Sequence, residues 1–167
     1  YSTVDRLDYS SDTTTAAVKG PLSANTYGAG ATGNSNFGYI GGVGVLPSIV
    51  SSIDRIDYSS DTSTASPKGP LTSTRYALGA TSSASYGYFG GGFADPSDGI
   101  STMDRIDYSS DTSTASPKGP LSDGRKWVAG VSSKDNALPT TSSSTRGDKW
   151  YDTSGKGNNA KITDSRF

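Results

Sequence analysis

Along residues 102 to 108 the side chains alternate. Thr102, Asp104, Ile106 and Tyr108 fall on one face of an extended chain, and Met103, Arg105 and Asp107 fall on the other. A period of two is the pattern of a β-strand, so a strand is predicted over Thr102 to Tyr108. Just upstream, "RYALGATSSASYGYFGGG" (75 to 92) carries two short runs, Tyr76 to Thr81 and Tyr86 to Phe89, split by serines and closed by glycines. That pattern reads as a hairpin. Downstream, "SSDTST" is turn chemistry, its Asp and Ser side chains bonding nearby backbone amides. A fourth, weak strand is expected from Thr114 to Ser116, ending at Pro117, whose missing N–H suits an edge or an exit.

The four-strand pattern recurs. "DRIDYSSDTSTASPKGPL" occupies 54 to 71 and returns unchanged at 104 to 121, and 5 to 22 differs only at Leu7, Thr14, Ala17 and Val18. The chain is a tandem array over residues 1 to 138, with units beginning near Thr3, Ser52 and Thr102. A Ser/Thr-rich linker (139 to 148) and a distinct tail (149 to 167) follow.

Composition supports an all-β class. Of 167 residues only 31% are hydrophobic and 21 are Gly, which excludes a large Leu-rich helical core. Tyr, Val, Ile and Ala supply the apolar content and suit small, half-buried strands. A net charge of −1 from 15 basic and 16 acidic residues gives no field that would draw in nucleic acid or an anionic membrane. No apolar run approaches the ~18 residues of a membrane-spanning helix, so no membrane insertion is expected. Without Cys there is no disulfide, thiolate metal site or thiol catalysis. The chain opens on Tyr1 and stops at Phe167 within what reads as a new motif, and so reads as part of a longer polypeptide.

The spacing resembles the kelch repeat: a diglycine after an aromatic or apolar pair, a variable loop, a Tyr-bearing strand, then "PL" and an Arg. The Gly pairs are Gly41-Gly42 and Gly90-Gly91, and the tyrosines are Tyr9, Tyr58 and Tyr108. The "PL" positions are Pro21-Leu22, Pro70-Leu71 and Pro120-Leu121, and the Arg positions are read as Asn25, Arg75 and Arg125. The resemblance implies β-propeller blades of about fifty residues, with an open β-solenoid or stacked β-repeat array as the alternative. Where kelch blades carry a Trp, this chain has Ala16, Ala65 and Ala115, and the third unit is followed by "VSSKDNALPTTSS" in place of a diglycine segment. The kelch pattern is therefore degenerate. Open strand edges are a pairing liability, which favours a homo-oligomer or a longer parent chain.

The near-identical units with "YFGGG" loops also resemble repeats in structural and tail-fibre proteins of marine bacteriophages. The tail "KWYDTSGKGNNAKITDSRF" (149 to 167) resembles the opening of laminin-G-like or concanavalin-like jelly-roll modules. These resemblances imply a virion or extracellular structural and adhesion protein, a tail-fibre or decoration component assembled with copies of itself or other virion proteins and presented toward a cell-surface glycan. The alternatives are a polysaccharide-degrading tailspike or kelch-like enzyme, and a bacterial secreted surface or filament protein.

Reactive chemistry is sparse. With no His the commonest general base is absent and a Ser-His-Asp triad cannot form. The carboxylate pairs Asp8/Asp12, Asp57/Asp61 and Asp107/Asp111 have the elements of a glycosidase. Their presence in every copy favours turn capping, since a catalytic pair is needed once. "DYSSDT" lacks the Gly and the distal Glu of an EF-hand loop, and "DTSGKGNN" (152 to 159) is the better Ca²⁺ or turn candidate, of which the turn is favoured, so no metal, cofactor or catalytic residue is expected and the chain is not read as an enzyme. Arg146-Gly147-Asp148 is discounted as a chance adhesion tripeptide. Trp127, Trp150 and Tyr151 are the candidate ligand-binding residues, because flat exposed rings stack on sugars. Tyr27 and Tyr76 are expected to pack between units in place of the missing Trp. The pairs Asp5-Arg6, Asp54-Arg55 and Asp104-Arg105 are candidates for ladders between units, with exposed surface pairs as the competing reading.

Overall fold

The computed structural model describes residues 1–11, 13–42, 44–45, 48–95, 98–132, 149–150 and 160–161. It is all-β and antiparallel, and no α-helix occurs among the described residues. Strands β1 (Val4–Arg6) and β2 (Ala17–Lys19) pair with each other, as the outer half of a first unit. The second unit is a four-stranded meander of β3 (Gly30–Gly33), β4 (Phe37–Gly41), β7 (Ile53–Asp57) and β8 (Ser66–Lys68). A small hairpin, β5 (Gly44–Val45) with β6 (Ser48–Ile49), sits between its second and third strands. The third unit repeats the meander with β9 (Gly79–Ser82), β10 (Tyr86–Gly90), β11 (Met103–Asp107) and β12 (Ser116–Lys118). In the tail, β13 (Lys149–Trp150) pairs with β14 (Ala160–Lys161). Among the described residues no sheet closes on itself.

The two meanders share one register. Tyr39 faces Arg55 across β4 and β7, and Tyr88 faces Arg105 across β10 and β11. The predicted alternation on β11 holds: Asp104 and Ile106 are buried while Met103, Arg105 and Asp107 are less so. Tyr108 lies beyond the strand, opening a single 3₁₀ turn. The last strand also differs from expectation. It runs through Pro117 to Lys118, with Asp104 opposite Pro117. An edge strand accepts proline because only one of its sides must supply ladder N–H groups.

The first strands of successive units run side by side. Thr32 of β3 donates its hydroxyl to the Thr81 carbonyl on β9 at 2.8 Å, and Thr81 does the same to Val131 at 2.7 Å. Residues up to Ser132 thus continue the series one step past β9. Backbone bonds repeat the step, Ala77 N–H to Gly28 O and Trp127 N–H to Ala77 O, both 2.6 Å. Gly28, Ala77 and Trp127 share the left-handed backbone, with φ of 65°, 56° and 57°. This correspondence moves the Arg register: two residues before Gly28 stands Thr26, so Thr26 and not Asn25 is the counterpart of Arg75.

The core lies within and between the second and third sheets: Tyr39, Ile53, Leu71, Leu78, Phe89, Ile106 and Ala115 form one buried cluster. Ala115 and Ala65, at the positions of the missing Trp, are buried, and their N–H groups donate to Pro70 O and Pro21 O of the preceding unit. Between the sheets the large rings are Tyr39 and Tyr108, stacked 4.9 Å apart.

Candidate functional site: the inter-unit seam and an aromatic cluster

Each unit reaches its neighbours through the same few letters, and the Asp and Arg of each adjacent pair point to different neighbours. Asp54 turns back to the first unit and accepts the Ser23 N–H at 2.8 Å and its hydroxyl at 2.7 Å. Asp104 turns back to the second unit and accepts the same groups of Thr72, at 2.9 and 2.8 Å. Arg55 reaches forward instead. Its guanidinium lies 2.7 Å from Asp111 of the third unit, with Lys68 at 3.6 Å from the same carboxylate. One unit earlier, Arg6 and Lys19 meet Asp61 at 2.5 and 3.4 Å. Tyr39 completes the second seam by donating its hydroxyl to Asp111 at 3.0 Å. Burial, reinforced by that carboxylate, drives the Tyr39 phenol far above its ordinary range.

The carboxylate pairs divide their work. Asp8, Asp57 and Asp107 each accept the amide and hydroxyl of the serine two residues on. Those bonds, hydroxyl first, hold all three carboxyls below the usual Asp range. They are turn caps. Asp61 and Asp111, also expected to cap, instead receive the cations of the preceding unit; Asp12 lies outside the described residues. Sequence could not separate the two roles, because each Asp sits among identical letters and its partner lies 55 or 56 residues away.

The repeat glycines mark close approach. A Cβ on Gly69 would lie 1.9 Å from the Ser113 carbonyl oxygen of the next unit, and one on Gly20 would lie 2.0 Å from that of Ser63. The diglycines serve the same end: Gly41 and Gly90 close β4 and β10, and Gly42 and Gly91 turn the chain beneath the following unit's Leu78 and Arg125. Tyr58 packs its hydroxyl over Gly38 and stays half exposed, while Tyr108 donates to the Gly33 carbonyl of the previous unit at 3.2 Å.

The third unit holds a buried ion pair that sequence reading missed. Arg75 and Asp104 are both fully buried, with Nη2 3.0 Å from Oδ2. Arg75 also donates to the Phe89 carbonyl and the Ser73 hydroxyl, and its Nε has no partner. Burial lowers the arginine's proton affinity and the Asp104 charge opposes that. The second unit has no such pair, because Thr26 occupies the position of Arg75.

At the entry to the inner strands three rings gather, one from each successive unit. Tyr27, Tyr76 and Trp127 have centroids 5.8, 6.1 and 6.3 Å apart. Phe93 extends the group at 5.1 Å from Tyr76, and Lys126, paired with Asp98, lies over the Phe93 ring. Tyr27 and Trp127 are 55% and 61% exposed and Tyr76 is partly buried, so Tyr27 and Tyr76 pack between units as expected, but at an outward-facing edge, while Tyr39 and Tyr108 fill the space between the sheets. Beside Trp127 lies an open cavity of about 250 Å³ lined by Gly28, Ala29, Ala77, Leu78 and Val128. That is below the roughly 300–1,000 Å³ of pockets that engulf a drug-sized ligand, so the surface suits stacking more than enclosure. Trp150 lies on β13, and Tyr151 falls outside the described residues, as do Arg146-Gly147-Asp148, the 152 to 159 stretch and most of the tail.

No protein-family model and no curated protein matches the chain. Among solved structures it is similar to the structure of YjhT, with a TM-score of 0.62 at 14% identity over 78% of this chain. The match spans 42% of that structure. At this identity the likeness is one of fold.

Proposed function

We propose that the chain is a structural and adhesive module whose four-stranded units are blades of a kelch-like β-propeller, and that it serves in a virion fibre or decoration protein. The observation that carries the adhesive part is the cluster of exposed Tyr27 and Trp127 about the partly buried Tyr76. Three rings at the mouth of the inner strands offer π-faces to a flat, weakly polar partner, and the sugar faces of a cell-surface glycan fit that chemistry. Two observations support the blade reading: a four-stranded meander about every fifty residues, and first strands that lie side by side. The use of Asp54, Asp104, Asp61 and Asp111 in the seams, and of Asp57 and Asp107 as caps, favours scaffolding over acid–base catalysis for the repeat acids.

The test is glycan-array screening of the full chain, followed by titration calorimetry on the best ligand with Trp127→Ala. Loss of one stacked ring is worth about 0.5 to 1.5 kcal/mol, so affinity is expected to fall about two- to tenfold with the fold unchanged. An array with no reproducible binder, or a Trp127→Ala variant that binds as well as the parent, would remove the adhesive reading.

A further inference from the structure

The rules of the seam identify an unfilled one. At both internal junctions the earlier unit offers an arginine, a lysine, a close-packed glycine and a Ser/Thr donor to the next unit. At the end of the third unit the same groups stand open. Arg105 and Lys118, the counterparts of Arg55 and Lys68, make no salt bridge among the described residues, whereas their counterparts meet Asp111. Gly119, the counterpart of Gly69, has nothing within 4 Å of where a Cβ would sit. Ser122, the counterpart of Thr72, meets no carboxylate among the described residues. Tyr88, the counterpart of Tyr39, is only partly buried whereas Tyr39 is fully so.

The opposite end of the chain carries the complementary groups. Asp5, the counterpart of Asp54 and Asp104, is exposed, and its carboxylate accepts no hydrogen bond among the described residues. Tyr9, the counterpart of Tyr108, is 93% exposed, and Leu7 is 52% exposed where Ile106 is 4%.

We propose that the open face of the third unit binds the first unit of a second copy of this chain, head to tail. The incoming Asp5 takes the Ser122 amide and hydroxyl, and the incoming Tyr9 stacks on Tyr88. This inference rests on the reading of the repeats as blades and is independent of any glycan. A head-to-tail contact presents different surfaces on its two sides, so it propagates until a ring closes or a filament grows.

The experiment is mass photometry and sedimentation of the full 167-residue chain with two variants. Gly119→Gln adds a side chain where the isolated chain has open space and the seam has none. Tyr9→Ala removes the stacking ring from the other face. Circular dichroism checks that both variants remain folded. The parent is expected to form rings or filaments, and each variant alone to associate about 100-fold more weakly. An equimolar mixture is expected to form a 1:1 heterodimer that grows no further, because each variant keeps one intact face. A parent chain that stays monomeric to about 100 µM, variants that assemble like the parent, or a mixture that fails to pair would each overturn the proposal.

Discussion

The repeat contains its own control for the buried ion pair. Asp54 and Asp104 occupy the same position in successive units and accept the same two bonds from Ser23 and Thr72. Only Asp104 also faces a buried arginine. Asp54→Ala therefore removes hydrogen bonds to a charged acceptor, at a cost of about 1.5 to 3 kcal/mol. Asp104→Ala removes the same bonds and strands the Arg75 guanidinium in the core; breaking a buried pair from one side costs about 3 to 5 kcal/mol. Arg75→Met leaves Asp104 with only its Thr72 bonds, the arrangement Asp54 already tolerates, and should fall between the two. For a chain of this size each kcal/mol lowers the melting temperature by about 2 to 4 °C, so Asp104→Ala should melt roughly 6 to 20 °C below the parent. Urea unfolding followed by tryptophan fluorescence and circular dichroism gives the free energies directly. The double variant Asp104→Ala/Arg75→Met should recover part of the loss, since it leaves no unpaired charge. Equal costs for Asp104→Ala and Asp54→Ala, or a double variant less stable than either single, would refute the reasoning.

Other consequences are open to similar measurement. Gly69→Ala should cost about 1 to 3 kcal/mol or more through overpacking against the Ser113 carbonyl, whereas Gly119→Ala should leave the melting temperature unchanged in the monomer. Burial holds Tyr58 and Tyr108 protonated above their ordinary value of 10.0, and Tyr39 behaves likewise. Their folded-state affinities are raised, so the stabilisation is full below pH 10 and is lost as pH rises through the folded values; an alkaline melting series should show the loss, reduced in Tyr39→Phe. The caps act at the other extreme. Asp57 and Asp107 are held below the ordinary 3.8, so their contribution is present above that value and disappears as pH falls through the lowered ones. An acid series should therefore show a decline that Asp57→Asn/Asp107→Asn flattens.

The period, the strand count and the all-β class were legible because they are written in local alternation and in near-identical letters. What joins the units was not. Asp61 and Asp57 sit four residues apart in the same turn, yet one caps that turn and the other holds a neighbour's cations. Only three-dimensional placement tells them apart. Arg75 reads as the arginine position of the repeat, which does not tell that it is buried against Asp104; the signal that could have raised it is its difference from Thr26 at the same register. Pro117 reads as a strand end, but the outermost strand needs its ladder groups on one side only. The aromatic residues were visible individually, and Trp127 was singled out. Their convergence depends on Gly28, Ala77 and Trp127 adopting the same left-handed turn in three successive units, with the ring just before that residue in two units and on it in the third, a shift that hides the match in the letters.

The central claim is that successive units set their first strands side by side and are joined by forward-reaching cations and backward-reaching carboxylates. An experimental structure of the assembled chain, by electron cryo-microscopy or crystallography, tests it most directly. The account predicts β3, β9 and the Trp127 to Ser132 segment adjacent around one axis, with Arg55 on Asp111 and Asp104 on Thr72. Units stacked as coils of a solenoid, with those side chains facing solvent, would contradict it.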